Sequence, residues 1–464
     1  MLKPIPLFGL GQSSKSVNVN AQQRLNLYCE IQSDPETNTM AIYGTPGLVA
    51  TSNYGANPTR GVYSMGVYKY FVNFGTFWRE SNDGTKTNLG SLVTTGGFVS
   101  IVDNGTQIML VDGTKGYIYN TQTLVFAQIT DVDFLGGDTV TFQNGYFIVS
   151  VPNSGKFQIS ALYDGLNWNA LDFATAESNP DNLVRVLSNN GQLMLFGDNT
   201  TEFWGDSGAV DFPFARIGGS AIEWGLAARQ SLVKFDNSLA FLRKNRLGAV
   251  QVCSLVGYNA QAISTPDMDT IINGYSAVSD ATAFSYMKGG HVFYQINFPT
   301  ANASWLYDSQ SNSWSKLQSG TGRHRAEMQI QYLNQFYVTD YQNGLIYRLD
   351  ENTFTDNGQT IIRELICRHQ ATGRYSKINQ MWLELEAGVG LVNGQGNDPQ
   401  MMLQISRDGG HTYGAEIWRS IGKIGLYKAR AVWNSLGRAR DWTMKFRITD
   451  PVKVALVAAW GKVE

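Results

Sequence analysis

The sequence is poor in charged residues. Asp, Glu, Lys and Arg make up 16% of its 464 residues, against about 25% in a typical globular protein. This argues against long exposed helices, which are rich in Glu and Lys. It fits two kinds of chain equally well. One covers much of its surface with partners, and the other is a compact β protein whose surface is built from Asn, Thr and Ser.

Cysteines and long apolar segments are also scarce. The three cysteines, Cys29, Cys253 and Cys367, are far apart and form no Cys-x-x-Cys pair. This spacing implies neither a disulfide framework nor a zinc site. No stretch approaches the roughly 20 apolar residues of a membrane span, and the N-terminus lacks a secretory pattern. We therefore expect a soluble protein that is made in a cytoplasm.

Turn-forming and aromatic residues are abundant, with 48 glycines and 12% Phe, Trp and Tyr. From about residue 60 they recur in units of about 40–50 residues, the length of a propeller blade. Each unit contains two apolar runs around a hairpin turn, and Asn-Gly or Gly-Gly supplies the positive φ that tight turns need. Four units carry such a dipeptide: Asn104-Gly105, Asn144-Gly145, Asn190-Gly191 and Gly289-Gly290.

The repeat predicts an all-β protein with a six- or seven-bladed β-propeller over residues 60–357. The runs after the turns, such as 108–111, 146–151 and 193–196, are almost continuously apolar. This is typical of strands that are buried on both faces, as in a sheet packed between two like sheets. A many-stranded sandwich is the alternative, but its strands would not repeat at a fixed period.

The C-terminal part has a different pattern. Segments such as MWLELEA and TMKFRI alternate apolar and polar residues, as half-exposed antiparallel strands do. Residues 358–464 are therefore predicted to form a β-sandwich. The N-terminal arm, residues 1–59, contains strand segments at 24–31 and 41–48. We expect this arm to pack with the sandwich and to bring both ends of the chain together.

Charge is distributed unevenly between these parts. Residues 361–464 hold 15 basic and 9 acidic residues, whereas the remainder holds 21 basic and 29 acidic ones. A solvated sandwich face explains such a cluster, and so does a site for an acidic partner or a phosphate backbone. The candidate contact residues are Arg419, Lys423, Lys428, Arg430, Arg438 and Arg440.

The sharpest local motif is SRDGGHTYG, in which Ser406, Asp408, Gly410 and Thr412 match the Asp-box pattern. In sialidases and related propellers this motif stabilises a hairpin and is not catalytic. Sialidases carry several copies within their blades, together with an arginine cluster and a Tyr–Glu pair. This chain has one copy, outside the repeat, and no such arginine cluster or Tyr–Glu pair is recognisable in its sequence. We interpret the motif as a structural hairpin.

The sequence contains no recognisable catalytic, metal-binding or cofactor-binding motif. The four histidines lack partners at metal-ligand spacing, and no phosphate loop or nucleophile elbow occurs. The prediction is a protein without a cofactor that is not an enzyme.

The order of parts resembles a known family. RLNLYCEI, YGTPGL and TRGVY precede the repeats, and SRDGGHTYG followed by SLGRARDWTMKFRITDPVKVALVAAWGKVE closes the chain. This is similar to the packaged-DNA stabilisation proteins of short-tailed bacteriophages, also described as tail hub or nozzle proteins. The resemblance implies a virion tail protein that is made in the host bacterial cytoplasm. It also implies a homohexameric ring below the portal-adaptor protein, which retains packaged DNA, lines its exit channel and anchors spike, fibre or needle proteins.

Within that resemblance, contact with genomic DNA would be independent of sequence, because no base-reading motif is present. Two other functions remain open. The main alternative is a carbohydrate-active propeller, a glycosidase or lectin of a tail, which would need two carboxylates about 5–10 Å apart in a pocket. The other is a monomeric propeller scaffold that binds peptides. Charge reversal at Arg430 and Arg440 is predicted to impair assembly or genome retention without unfolding the chain.

Overall fold

The computed structural model describes residues 3–5, 7–11, 13, 15, 20–31, 40–176, 181–209, 212–370 and 375–464. Residues 32–39, within the predicted N-terminal arm, lie outside them. The described residues form 42 strands and one short helix, as the all-β prediction requires. None of the helical structure in these ranges is both long and apolar enough to cross a membrane.

Five strands precede the repeats, and they pair with distant parts of the chain. They are β1 Lys3–Pro4, β2 Gln23–Leu25, β3 Leu27–Ile31, β4 Met40–Gly44 and β5 Gly47–Asn53.

Seven antiparallel sheets follow within the described residues, and each is one blade. In blade 5 two short strands share the innermost position, and in blade 7 the fourth strand is β5. Blade 1 contains β6 Thr59–Met65, β7 Tyr68–Asn73, β8 Thr76–Glu80 and β9 Lys86–Ser91, and blade 2 contains β10 Ser100–Asp103, β11 Gln107–Val111, β12 Gly116–Asn120 and β13 Phe126–Gln128. Blade 3 contains β14 Val140–Gln143, β15 Tyr146–Ser150, β16 Lys156–Ala161 and β17 Asp164–Thr175, and blade 4 contains β18 Leu183–Asn189, β19 Gln192–Gly197, β20 Thr201–Asp206 and β21 Phe214–Arg216. Blade 5 contains β22 Gly225–Leu226, β23 Val233–Phe235, β24 Ser238–Lys244, β25 Val250–Val256 and β26 Asn259–Ala262. Blade 6 contains β27 Thr282–Lys288, β28 His291–Phe298, β29 Ala303–Asp308 and β30 Ser313–Leu317, and blade 7 contains β31 Ala326–Tyr332, β32 Gln335–Asp340 and β33 Leu345–Asp350 in addition to β5.

The innermost strands lie side by side in a closed ring, and β31 of blade 7 contacts β6 of blade 1. The propeller therefore has seven blades, the larger of the two predicted numbers. Its second strands are buried along most of their length, for example at every position of β11. This matches their continuous apolarity, because each sheet packs between two others.

The predicted turn dipeptides lie between the first and second strands of their blades. Both residues have positive φ in Asn144-Gly145, Asn190-Gly191 and Gly289-Gly290. Asn104 differs, since only Gly105 of that pair has positive φ. The Asn104 side chain instead accepts hydrogen bonds from the backbone of Thr106 and Gln107, which forms a longer turn.

Strand β5 closes the propeller. It runs antiparallel to β33, with Leu345 opposite Asn53 and Asp350 opposite Gly47. The last blade is thus completed by residues from the beginning of the chain. This position differs from our expectation that the whole arm 1–59 packs with the sandwich. The β34–β35 hairpin, Thr355–Asp356 and Gln359–Thr360, extends the same sheet on the other side of β5.

The helix α1, Pro266–Asn273, connects blades 5 and 6. Thr265 caps its first turn by accepting a hydrogen bond from the backbone N–H of Met268, and Pro266 occupies the first turn, where no intrahelical donor is needed. Met268 and Ile272 anchor the helix in the core between these blades.

The sandwich consists of two sheets that include N-terminal strands. One has the order β3-β4-β42-β37-β40, with β1 also on β42, and the other contains β2-β36-β41-β38-β39. The new strands are β36 Arg363–Gln370, β37 Ser376–Leu385, β38 Gln400–Ser406, β39 Ile417–Ser420, β40 Ala431–Ala439, β41 Asp441–Ile448 and β42 Ala455–Val463. Apolar side chains from both sheets form one core around Trp433 and Trp442.

One sheet joins the two domains. Leu25 of β2 pairs in parallel with Lys316 of β30, the outer strand of blade 6, and β2 also pairs with β36. Blade 6 and the second sandwich sheet therefore form a continuous nine-stranded sheet. The sandwich is fixed to one side of the propeller through this sheet.

Candidate interaction surface

The turn between β38 and β39 is built around the carboxylate of Asp408. It accepts hydrogen bonds from the backbone N–H groups of His411 (3.0 Å) and Thr412 (2.9 Å), and from the Thr412 hydroxyl (2.6 Å). The Ser406 hydroxyl accepts one from the N–H of Gly410 (2.8 Å). Bonds from the hydroxyls of Ser406 and Thr412 and from the backbone hold the pKa of Asp408 well below its usual range. The polar groups of this motif are therefore used to stabilise the turn itself.

The six basic residues that the sequence singles out are all exposed, but they do not form one cluster. Strand β40, Ala431–Ala439, separates them into two groups. At about 3.3 Å per residue, this strand spans about 26 Å. Arg419, Lys423, Lys428 and Arg430 lie at its beginning, and Arg438 and Arg440 lie at its end.

Both groups are positioned by contacts with their neighbours. The Arg419 guanidinium donates a hydrogen bond to the carbonyl of Val432 (2.8 Å). Arg438 and Arg440 lie against the ring of Tyr375, at 4.8 and 4.6 Å from its centre, a cation–π geometry.

The charges of these six residues remain available. The ion pairs of the described C-terminal region use other cations, namely Arg368 with Asp441, Arg447 with Glu364 and Lys453 with Glu386. Asp441, the acid that follows Arg440 in the sequence, is therefore already paired. The two basic groups can each attract an acidic partner.

Large apolar side chains surround the first basic group, and sequence reasoning missed them. Tyr427 is 78% exposed, Ile424 57%, Leu426 56% and Trp418 45%. We call these four residues, with Lys423 and Lys428, the basic loop surface. An exposed apolar set of this kind on a folded domain is typical of an interaction site. Tyr and Trp, both present here, are likewise enriched at protein interfaces.

A polar cavity of about 580 Å³ opens at one end of the propeller axis, where a glycosidase would hold its carboxylates. Its four acids already have partners in the fold. Asp138 pairs with Arg229, Asp198 pairs with Lys244, and Asp280 accepts a hydrogen bond from the backbone of Thr300.

The fourth acid of the cavity, Asp112, accepts hydrogen bonds from Thr94 and Thr114 and from the backbone of Lys115. Burial alone would raise the pKa of Asp112, but these hydrogen bonds outweigh burial and lower it. A general acid needs a raised pKa instead. In the described ranges, no three His, Cys, Asp or Glu side chains are grouped so that they could hold a metal ion.

Two family models match the chain. The model described as "Bacteriophage P22 Gp10, beta-propeller" matches residues 3–354, and the model described as "Bacteriophage P22 Gp10, beta-sandwich" matches residues 354–464. The tail hub protein gp10 of Salmonella phage P22 is 22% identical over 316 residues, which are 62% of this chain and 62% of that protein.

Similar solved structures include two propeller-sized chains. The computationally designed Ika8 protein aligns with a TM-score of 0.37 and 10% identity, over 71% of this chain and 100% of that one. The WD40 domain of Neurospora crassa Pan2 aligns with a TM-score of 0.42 and 9% identity, over 67% of this chain and 95% of that one. The fold rests on the strand topology and the family models rather than on these low scores.

Proposed function

Because the chain belongs to the bacteriophage P22 Gp10 family, we propose that it is a structural subunit of a phage tail hub. The observation that carries this proposal is the match of family models to both domains, from residue 3 to residue 464. The curated relative, which the match covers over 62% of its length, is itself a tail hub protein.

In the proposed hub, copies of the chain form a homohexameric ring below the portal-adaptor protein of the virion. The ring retains packaged DNA, lines its exit channel during ejection and anchors spike, fibre or needle proteins. The nine-stranded sheet shared by propeller and sandwich supports such a role, because backbone pairing between β2 and β30 holds the two domains together. The exposed apolar side chains of the basic loop surface also suit a protein that works within an assembly.

The two basic groups on either side of β40 have separate tasks in this proposal. Arg438 and Arg440 face an acidic adaptor surface or channel DNA, where charge is needed without sequence readout. The basic loop surface serves a protein partner, because apolar side chains lie among its charges.

We propose no catalytic role for the chain. The carboxylates in the propeller cavity are engaged by Arg229, Lys244 and neighbouring hydrogen-bond donors. A glycosidase or lectin would need groups that are free to bind a sugar.

Electron microscopy of the purified chain, alone and with its adaptor protein, tests the hub. We expect rings of six copies that stack on the adaptor ring. A chain that stays monomeric, fails to dock and cleaves or binds glycans would contradict the proposal and favour the carbohydrate-active alternative.

Charge reversals test the basic groups in virions. Arg430→Glu and Arg440→Glu are each expected to reduce the yield of DNA-filled particles, while the purified variants keep the thermal stability of the wild type. Arg246→Glu, at an exposed turn between β24 and β25 of the propeller, is the matched control and should have no effect. Normal virions from both variants would rule out an electrostatic role for Arg430 and Arg440.

A further inference from the structure

We propose that the basic loop surface of one copy binds an acidic surface on blades 2 and 3 of the next copy, so that the hub ring assembles head to tail. We call this second surface the acidic rim surface: Asp131, Val132, Asp133, Leu171 and Asp172. The inference rests on the proposed hub function and specifies which surfaces of neighbouring subunits are in contact.

The basic loop surface is prepared for docking. Its loop is held by backbone hydrogen bonds from Gly425 to Gly388 (3.3 Å), from Leu426 to Lys423 (3.0 Å) and from Ala429 to Leu426 (3.1 Å). The loop thus keeps its shape while its apolar side chains face solvent. A pre-organised surface loses little conformational entropy on binding.

The acidic rim surface presents the two most exposed apolar side chains of blades 2 and 3. Val132 is 93% exposed and Leu171 is 80% exposed. They come from different segments, the loop after β13 and the outer strand β17. Asp133 and Asp172 adjoin them in the sequence and place negative charge beside this apolar area.

Hydrogen bonds join the two segments of the acidic rim surface. The Asp131 carboxylate accepts one from the backbone N–H of Trp168 (2.8 Å). The Gln158 side chain donates to the carbonyls of both Asp133 (2.7 Å) and Asn169 (3.3 Å). The nearby cation Lys156 lies over the ring of Phe173. Val132 and Leu171 are therefore parts of one fixed surface.

The two surfaces are complementary in composition. Each presents exposed apolar side chains next to charged ones, Lys423 and Lys428 on the sandwich and Asp131, Asp133 and Asp172 on the propeller. Contact between them buries apolar area and pairs opposite charges, which favours correct encounters. Two basic loop surfaces facing each other would instead bring like charges together. Nucleic acid is a poorer partner, because protein–DNA interfaces are more polar than this loop.

The positions of the two surfaces suit a ring. Blade 6 is continuous with the sandwich, and in a closed ring of seven blades the rim opposite blade 6 is formed by blades 2 and 3. Trp418 of the basic loop surface lies on β39, the edge of the nine-stranded sheet farthest from blade 6, which places the sandwich on the side of the propeller opposite the acidic rim surface. Different patches that meet head to tail are the kind of contact that generates closed rings.

Charge exchange tests the contact on the full-length chain. Lys423→Glu with Lys428→Glu in one variant, or Asp133→Lys with Asp172→Lys in another, should weaken ring formation at least about tenfold, measured by mass photometry. Mixing the two variants should restore rings, because each then meets a surface of opposite charge. Exposed basic residues elsewhere provide the control, Arg246→Glu with Lys462→Glu, which should not change assembly.

A cysteine pair gives an independent readout. Cys29, Cys253 and Cys367 are buried, and burial raises the pKa of each thiol, so introduced exposed cysteines react first. Leu171→Cys with Ile424→Cys in one chain should give a disulfide ladder up to the full ring on a non-reducing gel. Either single variant should give none.

The outcomes separate the inference from the proposed function. Rings that persist in both charge-exchanged variants, without a ladder from the cysteine pair, would overturn the inference and leave the hub proposal standing. Variants of the basic loop surface that still form rings but no longer bind the adaptor would also overturn it, because the surface would then serve that partner. A wild-type chain that forms no rings, together with a cysteine-pair variant that gives no ladder, would contradict both proposals.

Discussion

Two buried arginines in the described chain differ in whether their guanidinium groups have hydrogen-bond acceptors. The Arg24 guanidinium, 3% exposed, donates hydrogen bonds to the carbonyls of Gly9 (2.6 Å) and Trp314 (2.8 Å) and to the hydroxyl of Ser315 (3.2 Å). Arg363, 1% exposed, has no hydrogen-bond partner for its three guanidinium nitrogens among the described residues. Burial lowers the pKa of Arg363 to about 10, because the charged form loses its hydration.

This contrast predicts opposite sensitivity to the same substitution. Arg24→Met should lower the free energy of unfolding by about 2–4 kcal/mol, since it leaves buried carbonyls without donors. Arg363→Met should cost less than about 1 kcal/mol, because it removes a charge whose burial is unfavourable. Urea unfolding of both variants measures the difference. A larger loss for Arg363→Met than for Arg24→Met would contradict this explanation.

At the scale of elements, blade 6 meets sandwich strand β3 around His291. Its Nδ1 is 2.9 Å from an Asp308 carboxylate oxygen, and its Nε2 is 4.0 Å from Glu30 on β3. The ring stacks on Phe293 and contacts Tyr28 at its edge. The hydrogen bond to Asp308 raises the pKa of His291, although burial opposes it.

The raised pKa predicts a pH-dependent contribution to stability. It is fully present below the unfolded pKa of about 6.5 and is lost as the pH rises through the folded value. His291→Gln should therefore lower stability by about 1.5–3 kcal/mol below about pH 6, and by less at alkaline pH. Thermal unfolding across pH measures this, with exposed His411→Gln as the control. A difference between wild type and His291→Gln that grows with pH would contradict it.

The blades could be predicted from the sequence because their determinants are local. A dipeptide such as Asn144-Gly145 marks a hairpin, and the apolar run after it marks a strand buried on both faces. The partner of β5 could not be predicted in this way. Its residues, Gly47–Asn53, pair with residues about 300 positions later, and no local pattern records a pairing over such a distance.

The candidate surface was predictable only in part. The basic residues from Arg419 to Arg440 fall within one short stretch of the sequence, but the length of β40 separates them into two groups. The apolar residues Ile424, Leu426 and Tyr427 have the pattern of a strand entering a core. Spacing alone does not reveal that their loop lies outside the sandwich.

For the whole molecule, the contact between blades 7 and 1 depends on a buried ion pair. Lys69 of β7 pairs with Glu80 of β8, and their side chains are 5% and 1% exposed. Tyr54, which follows β5, donates a hydrogen bond to Glu80. The Lys69 ammonium also lies over the ring of Tyr337 in blade 7, at 4.6 Å from its centre. Charges from blade 1 thus hold both the closing strand and the last blade.

Breaking this pair should open the propeller at that contact. Lys69→Met should lower the free energy of unfolding by about 3–5 kcal/mol, because Glu80 would remain buried without its cation. Adding Glu80→Gln should recover much of the loss, since the amide still accepts the bond from Tyr54. The exposed pair Lys453–Glu386 is the control, and Lys453→Met should cost less than about 1 kcal/mol. Equal losses from Lys69→Met and Lys453→Met would contradict a special role for the buried pair.

The position of β5 also determines when the propeller can be completed during synthesis of the chain. Residues 47–53 leave the ribosome early, but their partner β33 follows only after six blades have been synthesised. Likewise β1 and β4 need β42, Ala455–Val463. Both domains thus complete their sheets late, and unpaired strand edges remain available to other molecules until then. Expression at high ribosome density should therefore favour exchange of β5 between neighbouring chains, which slower translation would suppress.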